Sequence, residues 1–250
     1  MKKNDTSQII PSGNPLVDLS WGGFYRGGTY FLTGPKESGK TILALQFALN
    51  SINKLNRSLI LTTSGINDLI INSSVINLNL QDCIDQGIVT VVRISPSQNN
   101  SHYDDLYFNI KEYFKELKKL VEDYKPVKIV FDEFTSFINF KDYKLVNELI
   151  LQTKKELNER DITGLFILSE DKLKQIQKSN FELLNLSTGY ISLFKNENLI
   201  SKSNPGLMKI IPNVEYHKGE FSSKYIIEIN KGIDIEHDPF NDINSIISDN

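Results

Sequence analysis

An eight-residue phosphate-binding pattern near the start of the chain limits the folds open to it. Residues 34–41 read GPKESGKT and fit G-x-x-x-x-G-K-[ST]. The segment 28–34 before the pattern has the composition of a β-strand, and residues 39–52 have the periodicity of an α-helix. A glycine-rich turn between a strand and a helix points backbone N–H groups and the positive end of the helix dipole at a phosphate chain. The sequence therefore predicts a P-loop that binds a nucleoside triphosphate.

Each part of the loop has an expected role. The glycines permit the tight backbone, Lys40 can reach the β- and γ-phosphates, and the Thr41 hydroxyl can ligate Mg²⁺. Lys40 is thereby also a candidate catalytic residue. The predicted nucleotide-binding residues are Gly34, Pro35, Lys36, Glu37, Ser38, Gly39, Lys40 and Thr41.

Buried strands alternate with helices along most of the chain. After the P-loop helix, strand-like segments occupy residues 57–63, 87–94, 125–133 and 163–170, and helical segments occupy 101–124 and 141–159. This alternation predicts an α/β fold whose mostly parallel central sheet is flanked by helices. Beyond about residue 185, three strand-like segments follow one another, which predicts an antiparallel extension at the sheet edge.

The size and composition of the chain fit one domain. It has 250 residues, 40% of them apolar and 24% charged, and no internal repeat. We predict a flexible lead-in over residues 1–12, a single nucleotide-binding domain over 13–233 and an acidic tail over 234–250. No apolar run is long enough to span a bilayer, which predicts no membrane association. The lone Cys83 cannot form an internal disulfide and fits a reducing cytoplasm.

A second candidate site ends the strand-like segment "KIVFDE". Asp132 follows a buried strand, and an acid in that place lies near the mouth of a phosphate loop. It is therefore the candidate to hold Mg²⁺, directly or through water. Glu133 is either a solvated charge at the strand end or the base that orients an attacking water. The residues alone leave both possibilities open.

The stretch "SGNPLVDLSWGGFYRGGTYFLTGPKESGKT" resembles the start of KaiC-type ATPases of the RecA superfamily. The matching residues are Gly13, Leu16, Asp18, Gly22, Gly23 and Gly27. The resemblance continues through "KIVFDE", "ITGLFILSE", "GLMKIIPNVEYHKGEF" and "EINKGIDI", and it covers residues 12–236. It implies a RecA-like P-loop NTPase fold, ATP and Mg²⁺ as ligands, and hexameric rings that bind ATP between neighbouring subunits.

The chain also departs from that family at catalytic positions. The resemblance places Ser64 and Gly65 where a pair of water-activating glutamates belongs, and neither residue can act as a carboxylate base. It keeps Lys209 as a candidate to act on a neighbouring subunit's γ-phosphate but places Ile211 where an arginine belongs. Loss of a trans-acting arginine slows phosphoryl transfer by orders of magnitude. Glu133 is then the remaining candidate base.

Three functions follow from these residues. The first is a slow or regulated ATPase that acts in signalling as a homo-oligomer, with a partner protein. The second is an ATP-binding scaffold without hydrolysis, whose assembly or partner affinity depends on nucleotide. The third, a RecA-type DNA recombination or repair paralogue, ranks last for two reasons. The net charge is −3, and the segment with Lys172, Lys174 and Lys178 also carries the acids Glu170, Asp171 and Glu182. Self-phosphorylation at Ser187 or Thr188, seen in some family members, is left open.

Overall fold

A nine-stranded sheet forms the centre of the protein and carries the P-loop on a middle strand. The structure, a computed structural model, describes residues 9–94, 103–137, 143–170, 185–195, 200–201, 204–214 and 219–235. Its strands are β1 (Ile9–Ile10), β2 (Phe24–Tyr25), β3 (Thr29–Gly34), β4 (Ser58–Thr62), β5 (Val89–Arg93), β6 (Lys128–Asp132), β7 (Thr163–Ser169), β8 (Gly189–Phe194), β9 (Gly206–Pro212), β10 (Phe221–Glu228) and β11 (Gly232–Ile235). Its helices are α1 (Pro15–Trp21), α2 (Lys40–Leu49), α3 (Ile66–Val75), α4 (Leu80–Asp85), α5 (Tyr103–Tyr124), α6 (Phe134–Phe137) and α7 (Tyr143–Glu159).

The sheet is parallel over most of its width, as predicted. Its strand order is β11-β10-β9-β8-β3-β7-β6-β4-β5, and the six strands from β8 to β5 run parallel. Gly34 at the end of β3 pairs with Ser169 of β7, and Thr62 of β4 pairs with Asp132 of β6. The carboxyl ends of these strands therefore meet at one edge, where open α/β sheets bind their ligands.

The C-terminal extension is antiparallel, as predicted, but it has one more strand than expected. The sequence predicts one strand near residues 224–233, whereas the structure has a hairpin of β10 and β11 there. Asn230 and Gly232 have φ angles of 70° and 81°, and the Lys231 N–H donates to the Glu228 carbonyl at 3.2 Å. Left-handed residues turn the chain, and the surrounding run of isoleucines conceals this turn in the sequence.

The end of the predicted flexible lead-in is part of the folded unit. Strand β1 pairs with β2 in a small antiparallel sheet. The Asp18 carboxylate accepts hydrogen bonds from the Ser12 N–H at 2.7 Å and the Gly13 N–H at 3.2 Å. These backbone contacts order residues 9–13 before α1 begins, and the fold therefore starts earlier than residue 13.

Helices cover both faces of the sheet and divide the core in two. On one face Leu43 and Phe47 of α2 pack with Leu32 of β3. On the other face Leu117 of α5 and Leu157 of α7 pack in the second core cluster. Each fully buried side chain of this kind contributes about 1.5–3 kcal/mol of transfer free energy, and α2 is thereby held against the strands that end beside the P-loop.

Several predicted features lie outside the described residues. They are the lysines Lys172, Lys174 and Lys178 and residues 1–8 and 236–250 of the predicted lead-in and tail. None of the helices in the described part of the chain is long and apolar enough to cross a membrane.

Candidate nucleotide-binding site

The P-loop has the backbone that its glycines predict. Gly39 lies just before α2 with a φ of 93°, which favours glycine. A Cβ atom on Gly34 would lie 2.6 Å from the Ser38 hydroxyl and 2.8 Å from the Leu193 carbonyl oxygen. The loop is therefore packed too closely at Gly34 for any larger residue. It brings the first N–H groups of α2 to the open edge of the sheet.

Lys40 and Thr41 begin α2 and face this edge. The Lys40 ammonium donates hydrogen bonds to the carbonyl oxygens of Gly34 at 2.7 Å and Pro35 at 2.6 Å. The side chain thus lies across the loop. The Thr41 hydroxyl donates to Asp132 at 3.4 Å, across 91 residues of sequence. The structure therefore brings together the loop and the strand-end acid that the sequence pairs.

Asp132 is a buried carboxyl at the end of β6, with 3% of its surface exposed. Its other oxygen accepts a hydrogen bond from the Thr62 hydroxyl at 2.9 Å. Burial raises the pKa of Asp132 above its usual value, and the neighbouring Glu133 charge also raises it, while the Thr62 and Thr41 hydrogen bonds and the Lys40 charge lower it. A buried carboxylate of this kind is a costly anion that a cation can stabilise.

The donor set beside Asp132 suits Mg²⁺. A hydroxyl and a carboxylate oxygen 3.4 Å apart can both contribute to an oxygen-rich octahedral site, directly or through water. No group of three or more His, Cys, Asp or Glu side chains that could hold a metal exists among the described residues. A magnesium ion here would therefore take its remaining ligands from phosphate and water, as in other P-loop sites.

An open cavity of about 690 Å³ adjoins the loop. It is lined by Gly34, Pro35, Lys36, Glu37, Gly39, Lys40, Thr41, Ile42, Asn72, Glu133, Ser169, Glu170 and Ile227. The cavity contains all the predicted loop residues except Ser38, whose side chain is buried below the loop. Its volume is in the range typical of small-ligand sites.

Glu133 lines the cavity, where a solvated strand-end charge and a water-orienting base are both possible. Its backbone is left-handed, with a φ of 59°, which is uncommon for a glutamate. Strained residues of this kind cluster at functional sites because the surrounding structure must hold them in place. The turn directs the chain from β6 into α6 immediately after Asp132.

Sequence reasoning missed five lining residues outside the loop, namely Ile42, Asn72, Ser169, Glu170 and Ile227. Ser169 and Glu170 could have been found, because β7 runs parallel to β3 and must end at the same edge. Asn72 lies on α3 and Ile227 on the unpredicted hairpin. No local signal marks these two, because only the tertiary fold brings them to the loop.

Ser64 and Gly65 precede α3 and do not line the cavity. The Ser64 N–H donates to the Thr62 hydroxyl at 3.0 Å, and Gly65 is the N-cap of the helix. These two positions supply no carboxylate to the cavity, as the sequence indicates. The nearby Asp68 lies in the first turn of α3.

Lys209 lies on β9, outside the lining of this cavity. Its ammonium forms an ion pair with Glu220 at 2.6 Å, between two partly exposed side chains. Ile211 is two residues further along β9 and so projects from the same face of the sheet. A role for Lys209 at this chain's own cavity is therefore not supported by its position.

The Ser187–Thr188 pair is engaged in strand pairing. Ser187 is 2% exposed, and its carbonyl oxygen accepts from the Asn213 side chain at 2.9 Å. The Thr188 hydroxyl accepts from the Thr29 N–H at 3.0 Å, and the Thr188 N–H donates to the Thr29 carbonyl at 2.7 Å. These contacts give the Ser-Thr pair a structural role at the start of β8.

Comparison with known proteins agrees with this geometry. The profile of the family described as "ATPase: KaiC" matches residues 10–237, which include the P-loop, Asp132 and the C-terminal hairpin. The chain belongs to the KaiC ATPase family. This membership confirms the resemblance drawn from the sequence.

Individual relatives are distant. The KaiC-type chain is 27% identical over 151 residues to the circadian clock oscillator protein KaiC of Thermosynechococcus vestitus, covering 59% of this chain and 29% of that protein. It is 21% identical over 237 residues to the protein of that name from Synechococcus elongatus, covering 93% and 43%. The chain thus spans less than half the length of these curated relatives.

A solved structure supports the fold. The crystal structure of a KaiC-like protein from Pyrococcus horikoshii superposes with a TM-score of 0.71 at 19% identity, covering 92% of this chain and 99% of that chain. At this identity the similarity establishes the fold alone. It confirms the predicted RecA-like sheet with its antiparallel C-terminal strands.

Proposed function

We propose that this KaiC-family protein binds ATP·Mg²⁺ in the cavity beside the P-loop and turns it over slowly. The observation that carries the proposal is the contact between Thr41, at the N-terminus of α2, and the buried Asp132. This contact supports a magnesium site beside the N-terminal end of α2, which attracts phosphate. Lys40 would exchange its contacts with the loop carbonyls for contacts with the β- and γ-phosphates.

The remaining lining suits a nucleoside. Ile42 and Ile227 offer apolar surface against which a base can pack, and the Asn72 amide can both donate and accept hydrogen bonds. We infer that residues 9–235 act together as one nucleotide-binding unit, because Ile227 comes from the C-terminal hairpin. This range is slightly wider than the predicted 13–233, since β1 and the end of β11 belong to the folded unit. The acidic tail would then be residues 236–250.

Slow turnover follows from the carboxylates that the cavity contains. Ser64 and Gly65 supply none, which leaves Glu37, Glu133 and Glu170 as lining acids. Glu37 forms an ion pair with Lys195 at 3.3 Å. Of these, Glu133 directly follows the magnesium candidate Asp132, and we propose it as the base that orients the attacking water. Ile211 cannot supply the positive charge that a trans-acting arginine would give.

We further propose a role in signalling through nucleotide-dependent self-assembly or partner binding. Family membership supports a homo-oligomer, possible states including a hexamer, in which Lys209 would face a neighbouring subunit. The single Cys83 favours the cytoplasm as the place of action. The alternative is a scaffold that binds ATP without hydrolysis; a DNA-repair role has less support, because the chain is mildly acidic.

Phosphate release distinguishes the ATPase from the scaffold. The rate would be measured for wild type, Lys40→Ala, Glu133→Gln and the matched cavity variant Glu170→Gln. A slow ATPase predicts a rate that Lys40→Ala abolishes and that Glu133→Gln lowers at least about 10²-fold, while Glu170→Gln has the smaller effect. If wild type binds ATP but shows no release that depends on Lys40, the scaffold is correct. If Glu170→Gln has the larger effect, the base is Glu170.

Size measurement with and without ATP·Mg²⁺ tests assembly. The proposal predicts a larger species with nucleotide, and a smaller one for Lys40→Ala under the same conditions. An unchanged mass with saturating nucleotide would contradict nucleotide-dependent assembly. Binding to DNA that weakens with salt would favour the DNA-repair role instead.

A further inference from the structure

A buried lysine contacts the end of the P-loop helix that is remote from the nucleotide. Lys128, the first residue of β6, is 3% exposed. Its ammonium donates to the carbonyl oxygens of Phe47 at 3.0 Å and Asn50 at 2.6 Å. It also lies 5.0 Å from the centre of the Phe47 ring. Phe47 is in the last turn of α2, and Asn50 is its C-cap.

These contacts satisfy a need that every helix has. The last carbonyl groups of a helix have no partner within it, and a cation near them is favourable because of the helix dipole. Ser58 meets the same need at the Ala48 carbonyl, to which its hydroxyl donates at 2.6 Å. A neutral donor is therefore sufficient for hydrogen bonding at this helix end, and the charge of Lys128 requires a further explanation.

The charge is costly where it lies. Burial lowers the pKa of Lys128 to about 8, and the Asp18 carboxylate on α1 raises it only in part. Long apolar side chains fill such positions without this desolvation cost. A buried cation in contact with carbonyl oxygens is thus better explained by an electrostatic role than by packing.

Strand β6 contacts both ends of the P-loop helix. Lys128 binds the C-terminal end of α2, and Asp132, four residues later, binds Thr41 at the N-terminal end. Four residues of strand rise about 13 Å, and the ten residues of α2 extend about 15 Å. The two lengths match, so that one strand fixes the helix at both termini.

We propose that Lys128 is a positioning residue for nucleotide binding, which holds α2 in place and adds a positive charge behind the helix that receives the phosphates. The inference rests on the proposed ATP site. Coulomb's law at an effective dielectric constant of about 20 gives about a sixfold change in affinity per unit of phosphate charge at about 15 Å. Mg·ATP carries two net negative charges, and salt partly screens them. The expected change in ATP affinity is therefore about 5- to 30-fold.

The test is a titration of a non-hydrolysable ATP analogue with Mg²⁺, at a temperature where every variant is folded. Lys128→Met removes the charge and the donors, and Lys128→Gln removes the charge but keeps donors. We expect both to raise Kd by about 5- to 30-fold, and Lys128→Arg to stay within about twofold because the cation returns. Lys128→Gln decides the matter if Lys128→Met does not fold.

Two control variants separate charge from general loosening. Lys154→Met removes another half-buried lysine, whose ammonium donates to the Leu186 carbonyl at 3.0 Å away from α2. Ser58→Ala removes a neutral contact at the same helix end. We expect both to leave Kd unchanged, although Ser58→Ala lowers the melting temperature.

Three results would overturn the inference. They are wild-type affinity in Lys128→Gln, an equal loss of affinity in Ser58→Ala, or failure of Lys128→Arg to restore binding in a folded protein. A wild type that does not bind the analogue at all would instead refute the proposed function. The two failures are therefore distinguishable.

Discussion

Replacing Asp132 with asparagine should stabilise the protein without ligand and remove its response to magnesium. The carboxylate is buried, and burial raises its pKa, which means that the folded state holds the charge at a cost near pH 7. Asparagine has nearly the same shape, and its oxygen can still accept from the Thr62 hydroxyl.

The expected magnitude combines two contributions. Removing a buried, incompletely compensated charge returns about 1–3 kcal/mol, and weakening a charge-assisted hydrogen bond to a neutral one costs about 1 kcal/mol. The net gain in unfolding free energy is about 1 kcal/mol, which for a chain of this size raises the melting temperature by about 2–4 °C. Because the pKa of Asp132 is raised in the folded state, the cost of its charge disappears on protonation. The gain should therefore shrink as the pH falls through the folded pKa towards the usual carboxyl value.

Thermal unfolding with and without ligands provides the assay. Wild type at an ATP·Mg²⁺ concentration of about 100 Kd should gain about 2.7 kcal/mol, and EDTA should remove the part that depends on the metal. Asp132→Asn should be more stable than wild type without ligand and insensitive to EDTA with it. A less stable variant without ligand, or an intact magnesium response, would refute the account of Asp132.

Three further predictions concern the surroundings of the site. Tyr225→Phe removes the 2.7 Å hydrogen bond from the buried Tyr225 hydroxyl to the Ser38 carbonyl. Denaturant unfolding should show an unfolding free energy lower by about 1–2 kcal/mol. An unchanged denaturation midpoint would contradict the contact. Gly39→Ala would place a Cβ atom 3.0 Å from Ile227 at a φ of 93°, and it should lower the unfolding free energy by about 2–4 kcal/mol. Gly87 has no atom within 4 Å of such a Cβ and a φ of 65°, so Gly87→Ala should lower it by only about 1 kcal/mol. The pKa of Lys128 is lowered to about 8 from 10.5, so the folded state binds fewer protons than the unfolded state between these pH values. The unfolding free energy of wild type should therefore rise by up to about 3 kcal/mol relative to that of Lys128→Met between pH 8 and 10.5. Parallel curves of stability against pH for the two proteins would exclude a buried charge.

The sequence predicted the fold well where structure follows from local pattern. The P-loop, the alternation of strands and helices and the end of β6 at Asp132 each depend on short segments whose period and flanking residues are diagnostic. The hairpin at Asn230 was missed because isoleucines on both sides of the turn make the segment resemble one strand. The sequence did not show that residues 9–12 belong to the folded unit. Their position depends on hydrogen bonds from the backbone to the Asp18 carboxylate, which no local pattern reveals.

The site was predicted less completely than the fold. The loop residues are contiguous in sequence, so that one pattern reveals them. Glu170 and Ile227 reach the cavity only through sheet topology, and the left-handed backbone of Glu133 has no counterpart in composition. The role inferred for Lys128 depends on a contact across 78 residues to Asn50, which no local pattern could show.

The central claim is that this chain holds ATP·Mg²⁺ through Lys40, Thr41 and Asp132. Equilibrium titration of ATP·Mg²⁺ into wild type and folded Lys40→Ala tests it most directly. The account predicts saturable binding at one site per chain, and a loss of affinity of at least about 10²-fold in the variant, as expected when a charge-assisted contact to phosphate is lost. Absence of binding to wild type, or equal affinity of the two proteins, would contradict it.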